Sequence, residues 1–240
     1  QRAEAYGNHR ASFVLGLLYA EGRGVHQDIA KAMQYYQRAI NHGSVDATYN
    51  LAMLEYHGDH GLPLDIHHAV ELLTSLAKRG DAESQNMLAS IQYKGVGVDV
   101  NIQSARYWYQ KSAEQDYAIA QFNLGNMYRS GIGIPQSDKH AVQWYQRAST
   151  QGYAPAQNSL AYMYLHGRGV RKNVKKAKVL LQQASKALVQ AQENLSHISQ
   201  RSSSFTLLTS MVDERLRGNV LATGDIDLSQ WFQMKQQPSP

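Results

Sequence analysis

Cysteine is missing altogether from the 240 residues, which excludes disulfides, thiolate metal sites and a cysteine nucleophile. Prolines number only 5, and so few helix breakers suit a helical chain. No apolar run approaches the roughly 18 residues that would span a bilayer, so no transmembrane segment is expected. GxSxG and HExxH motifs are absent too, and with them two common routes to hydrolysis. No cofactor motif stands out, and none is expected to bind. The net charge of +5 and pI near 9.3 permit an acidic partner without requiring one.

What is present is a period. The stretch 117–152, YAIAQFNLGNMYRSGIGIPQSDKHAVQWYQRASTQG, reads as helix, tight turn, helix. Ala120, Leu124, Met127 and Tyr128 share one helical face, and Ala141, Trp144, Tyr145 and Ala148 share another. Gly131 and Gly133 stop the first helix, and Ser137 is placed to cap the second. The pattern recurs at 8–43, 44–80, 81–116, 117–152 and 153–188. A small residue after a leucine marks each first helix: Gly16, Ala52, Ala89, Gly125 and Ala161. Each second helix has an alanine (Ala32, Ala69, Ala105, Ala141, Ala177) four residues after a good N-cap (Asp28, Asp65, Asn101, Ser137, Asn173). One helical hairpin cannot bury both its faces, so the copies must stack.

The margins of the array are less regular. Gln1, Arg2, Ala3 and Gly7 align with Gln146, Arg147, Ala148 and Gly152. Residues 1–7 therefore read as the end of a severed second helix, and the natural chain is expected to continue upstream. The second repeat carries one extra residue in its turn. Leu188 stands where a terminal glycine is expected, so the last helix either runs into 189–199 or breaks there. Residues 189–218 read as capping helices, with a polar break at 201–204 and a helix over 205–217. The tail 219–240 reads as irregular, with an apolar cluster at Leu228, Trp231, Phe232 and Met234.

The pattern A-x-(A/S)-Q-x-N-L-G-x-M-Y-x-x-G-x-G-V/I, followed by (D/N/S)-x-x-x-A-x-x-W/Y-Y-x-(K/R)-A, resembles Sel1-like repeats, relatives of the tetratricopeptide repeats. The likeness covers about 1–190. It implies an all-α, right-handed α-solenoid acting as a non-catalytic adaptor that binds another protein or peptide, in a bacterial envelope or secretion-linked assembly with a periplasmic or envelope-associated location. By analogy with tetratricopeptide repeats, three columns of the first helices line a groove. Phe13, Tyr49, Asn86, Phe122 and Asn158 form the first. Leu17, Met53, Asn126 and Tyr162 fall in the second, and Tyr56, Tyr93 and Arg129 in the third. Rings supply contact area there, and amides can bind a partner's backbone. Tyr19, Tyr128 and Tyr164 are assigned to the core instead.

Other features invite chemistry and have plainer explanations. The G-x-G pairs follow no strand and precede no Walker lysine, so helix capping accounts for them. The S-x-x-K spacing at 75–78 puts its serine in a solvated column. His57, His60, His67 and His68 crowd the irregular second repeat beside Asp59 and Asp65, as zinc ligands or as a polar loop. Lys172, Lys175, Lys176 and Lys178 oppose the dipole of the helix they open; they form either a solvated face or a surface for an acidic partner, nucleic acid or lipid head groups. Residues 227–232, with Trp231 and Phe232, suit a docking segment for self-association. Two readings stand beside the adaptor, for which no nucleic acid is expected: a basic nucleic-acid or membrane-surface binder, and a hydrolase lacking a convergent acid, base and nucleophile.

Overall fold

The computed structural model describes residues 2–58 and 65–199, with side chains over 10–58 and 65–187. Among these residues lie ten helices and no strand: α1 (Arg2–Glu21), α2 (Ile29–Asn41), α3 (Val45–His57), α4 (Ile66–Lys78), α5 (Ala82–Lys94), α6 (Ile102–Glu114), α7 (Ala118–Ser130), α8 (Asp138–Thr150), α9 (Ala154–His166) and α10 (Val174–Ser199). They pair as five helical hairpins, and each helix packs against its sequence neighbours. One compact unit spans Gln1–Gln192. The readings of 205–217 as a helix and of 219–240 as a docking tail lie outside the described residues.

Local chemistry starts each second helix as the spacing predicts. Asp28, Asp65, Asn101, Ser137 and Asn173 each accept from the backbone N–H three residues on, at 2.9–3.3 Å with their partners Lys31, His68, Ser104, His140 and Lys176. First helices are more varied. Ser44 and Asp81 cap α3 and α5, whereas Tyr117 and Tyr153 precede α7 and α9 without a side-chain cap.

The two glycines of each turn do different work. Gly131 takes a left-handed conformation, φ 71°, and its N–H returns to Met127 O as the cap of α7. Gly133 also has positive φ, but its position is set by tertiary contact: a Cβ there would run into the Ile102 side chain at the start of α6. Gly97 meets Ile66 in the same way, and Gly169 the backbone of Asp138. The second glycine is thus where one repeat's turn crosses the previous repeat's second helix. Capping explains only half of the G-x-G pattern.

Burial comes from stacking. Leu51, Leu88, Leu124 and Leu160 are 1–3% exposed, while Leu15, in the same column of the first repeat, is 38% exposed. A fully buried leucine contributes about 1.5–3 kcal/mol, and the hairpin alone does not bury it. Polar groups bridge the same interfaces. Gln85 and Gln121 donate to the carbonyls of Ala77 and Ala113, at 2.9 and 3.2 Å. Each then accepts from the glutamine 30 residues later, Gln115 at 2.8 Å and Gln151 at 2.9 Å. Gln157 repeats the first bond, to Ser149 O, but its Oε1 has no partner, because the next residue of the donor column is Ala187.

Two helix ends depart from the repeat pattern, the first against expectation and the second as one of the two outcomes left open. Gly7 lies inside α1 rather than ending a separate helix, since a helical glycine costs only about 1 kcal/mol relative to alanine. Helix α10 runs unbroken past Leu188 to Ser199, where the glycine that turns the other repeats is absent.

A second column joins the helices of four of the hairpins. Lys31 lies over the Tyr19 ring at 5.4 Å, His140 stacks on Tyr128 at 5.0 Å, and Lys176 lies over Tyr164 at 5.2 Å. Tyr164 is buried as expected, while Tyr19 and Tyr128 are half-buried. In the second repeat the pair becomes Glu55 and His68, with Nδ1 2.8 Å from Oε2. Burial pushes the Glu55 carboxyl above its usual range, against the downward pull of His68.

Two tests follow from these contacts. Gly133→Ala should lower stability by about 2 kcal/mol or more, combining left-handed strain with overpacking on Ile102. Gly152→Ala, with φ +81° and nothing within 4 Å of the added Cβ, should cost only the backbone share of about 1–2 kcal/mol. Urea unfolding of both variants compares them directly. For Glu55 the folded pKa is raised, so its stabilising contribution is complete below the unfolded glutamate value and is lost as pH rises through the folded value. The Tm of Glu55→Gln relative to wild type should therefore rise between pH 4 and 7; a fall would make the Glu55–His68 pair net stabilising.

Candidate functional site

The first helices carry the residues expected to meet a partner, and packing sorts them. Met53 is 8% exposed and Phe122 is fully buried, which removes both from any open surface. The Phe122 ring sits between Tyr145, 5.8 Å away, and Tyr153, 5.5 Å away, so the fifth repeat closes over it. Phe13 and Leu17 are half-buried against the core around Tyr36. Tyr49 and Tyr56 pack beside Ala52, Ala69, Leu73 and Ile91, and Tyr93 beside Ala89 and Tyr109. All three rings keep part of their surface, as do Asn86, Asn126, Arg129, Asn158 and Tyr162.

The amides link helices. Asn123 donates to Asn86 Oδ1 at 3.1 Å, tying α7 to α5. Asn126 Oδ1 accepts from the Tyr145 hydroxyl at 2.6 Å. Burial pushes that hydroxyl up to about 12, opposed by Arg129, which hydrogen-bonds it. The Nε of Arg129 is itself buried without a partner. A second arginine stands close by: Arg168 forks onto Asp138, with Nε to Oδ2 at 2.9 Å and Nη2 to Oδ1 at 3.2 Å, and also hydrogen-bonds Tyr162. Asp138 first and Tyr162 second hold the Arg168 guanidinium above its usual value. Tyr162 leans on His166 at 4.4 Å.

Three expected site residues, Asn126, Arg129 and Tyr162, thus gather around Tyr145 and Arg168, which sequence reasoning left out. A recurring interval could have found Tyr145. Its hydroxyl reaches Asn126, 19 residues back, just as that of Tyr109 reaches Ser90. The cluster offers hydrogen-bond donors, an amide and ring faces, with one carboxylate already bound by arginine. Such a set can hold a carbonyl or a carboxylate.

The histidine group of the second repeat is dispersed. His67 and His68 are exposed, His68 turns to Glu55, and His57 meets Tyr56 edge-on at 5.1 Å. His60 lies outside the described residues, among which no three metal-binding side chains converge. Ser75 is exposed. Ser137 Oγ lies 2.8 Å from His140 Nδ1, but that oxygen also caps α8 and the His140 ring is stacked on Tyr128.

Comparison with known proteins matches the Sel1 repeat five times, over residues 9–44, 45–81, 82–117, 118–153 and 154–187. Two components of an ERAD-associated E3 ubiquitin-protein ligase of Arabidopsis thaliana, HRD3B and HRD3A, are each 37% identical over 68 residues, or 28% of this chain. The matched segment spans 11% and 10% of those proteins. Among solved structures, c5321, a protective antigen of uropathogenic Escherichia coli displaying an SLR fold, is 34% identical with a TM-score of 0.70, covering 78% of this chain and 40% of that one. A Sel1 repeat protein from Oxalobacter formigenes is 29% identical with a TM-score of 0.71, covering 75% and 73%. Sel1 repeat proteins are generally protein-interaction scaffolds and typically non-catalytic. Five helix-turn-helix units with this turn, core and register make the chain a member of the Sel1 repeat family.

Proposed function

We propose that the chain is a non-catalytic adaptor that holds a segment of a partner polypeptide along its first helices. The carrying observation is a row of half-exposed rings, amides and one arginine on the first helices: Tyr49, Tyr56, Tyr93, Asn126, Arg129 and Tyr162. On the other side the second helix α8 presents Lys139, Gln143, Gln146 and Arg147 to water, although α6 exposes the Tyr107 ring. Tyrosine and arginine are the side chains that dominate binding energy at protein interfaces. Asn126 and Arg129 are held by the Tyr145 hydroxyl, which lowers the entropy lost on binding.

An envelope or secretion-linked assembly is the setting that fits. The similar E. coli protein is described as a protective antigen, and the plant relatives as components of a multiprotein ligase. The chain covers a small part of those relatives, so only the scaffold role is carried over.

Photocrosslinking tests the surface. A crosslinking amino acid at position 93 or 162 should form adducts with a co-purified polypeptide, and one at position 143 should not. Adducts from position 143 alone would overturn the reading. Once the partner is in hand, Arg129→Ala and Asn158→Ala should each weaken binding about tenfold, near 1.4 kcal/mol.

A further inference from the structure

Charge is segregated along the chain. Between Lys139 and Gln192 there are nine lysines and arginines and no aspartate or glutamate. Three of the nine are engaged: Arg168 with Asp138, Arg147 over the Trp144 ring at 4.7 Å, and Lys176 over Tyr164. Arg171, Lys172, Lys175, Lys178 and Lys186 are exposed on α10 and the turn before it. A helical period places Lys175, Lys178, Gln182 and Lys186 within about 100° of arc. They lie opposite Ala177 and Ala184, which are 0% and 1% exposed. The stripe runs about 16 Å along the helix axis. Val179, 52% exposed, lies on it, and Val174, 44% exposed, at its edge.

The register places one edge of this face. The column of Lys178 holds Met33, Val70, Arg106 and Val142 in the earlier repeats. Met33 packs in the cluster with Leu51 of α3, Val70 with Ile91 of α5, and Val142 with Leu160 of α9. In those three repeats this column of the second helix meets the next repeat's first helix, whereas the columns of Lys175 (Ala30, His67, Gln103, Lys139) and Lys186 (Asn41, Lys78, Glu114, Thr150) face water throughout. In the fifth repeat the Lys178 position is an exposed lysine as well.

We propose that the lysine stripe of α10 is a docking surface for an acidic polypeptide segment with interleaved aliphatic side chains, with only its Lys178 edge at the position where a further first helix would lie. Charge complementarity selects carboxylates, because like charges at Lys175 and Lys178 repel until an anion lies between them. The exposed valines select a polypeptide over nucleic acid, since phosphate offers them nothing and the stripe has no ring on which bases stack. Two valines are also too little apolar surface for a bilayer, which interfacial helices grip with tryptophan, phenylalanine and leucine. This surface is separate from the first-helix row and stands or falls independently of it.

The test uses the full chain and four fluorescent probes: a helical 16-residue peptide alternating Glu and Leu faces, a Glu/Ser peptide of equal charge, a 20-nucleotide oligo-dT, and phosphatidylserine vesicles. The Glu/Leu peptide should bind most tightly, weakening as salt rises from 50 to 200 mM. Lys175→Gln/Lys178→Gln/Lys186→Gln should weaken it at least tenfold and flatten the salt dependence. Val179→Ser should weaken it severalfold with the salt dependence intact. Lys78→Gln/Arg79→Gln, at the end of α4 and its C-cap, should leave it unchanged, and circular dichroism of each variant confirms the fold. Equal binding by the triple variant would overturn the proposal. So would tighter binding of oligo-dT or vesicles through the same lysines, or equal binding of the Glu/Ser peptide.

Discussion

In the first and fourth hairpins the ring of a second-helix tyrosine lies hard against a first-helix glycine, in a column that holds only alanine elsewhere (Ala52, Ala89, Ala161). A Cβ on Gly125 would come within 2.7 Å of the Tyr145 ring, and one on Gly16 within 2.5 Å of Tyr36. Helix separation follows the side chains at the contact, so this position fixes how tightly a hairpin closes. Once closed, the hairpin leaves its leucine side outward. Leu51, Leu88, Leu124 and Leu160 become buried only because another hairpin follows the same rule. The solenoid is the consequence of a local fit that cannot satisfy both faces at once.

Capping was legible because it is local. A carboxylate, amide or hydroxyl reaches the N–H three residues ahead whatever lies elsewhere in the fold, and all five expected second-helix caps make that bond. The second glycine of each turn was half legible. Its recurrence was plain, but Ile102 and Ile66 reach it from the previous repeat, and one hairpin's sequence carries no sign of that crossing. Phe122 was misplaced for a similar reason. Asn86 and Asn158 hold its column in flanking repeats and stay half-buried. Phe122 is covered because Tyr153, at the position where Ser44 and Asp81 serve as caps, turns its ring onto it. Exposure in a repeat array depends on the next repeat as much as on the residue's own column.

The glutamine ladder shows polar groups keeping register where apolar ones only exclude water. A buried amide needs both its donor and its acceptor matched, so Gln85 and Gln121 tolerate only neighbours that present a carbonyl on one side and an amide on the other. A slip between repeats would strand both ends. Gln157 keeps half the arrangement, which marks the fifth repeat as the place where the pattern is relaxed.

That relaxation coincides with a change in which residues perform the same structural tasks. Through Asp138, carboxylates act as caps at Asp28, Asp65 and Asp81 and as ion-pair partners at Glu55 and Asp138. At α10 the cap is Asn173, which makes the same hydrogen bond at 2.9 Å without charge. Aspartate there would bond equally well, favour the helix dipole and relieve the crowd of lysines in the first turn. The fold therefore does not require an acid-free end. Lys178 stands in a column otherwise held by Met33, Val70, Arg106 and Val142, and Arg106 shows that a basic residue there does not by itself keep a further hairpin from stacking. Stability leaves the sign of the charge on α10 unexplained. A positive surface on α10, like the arginine pair at Arg129 and Arg168, is an arrangement suited to anionic side chains.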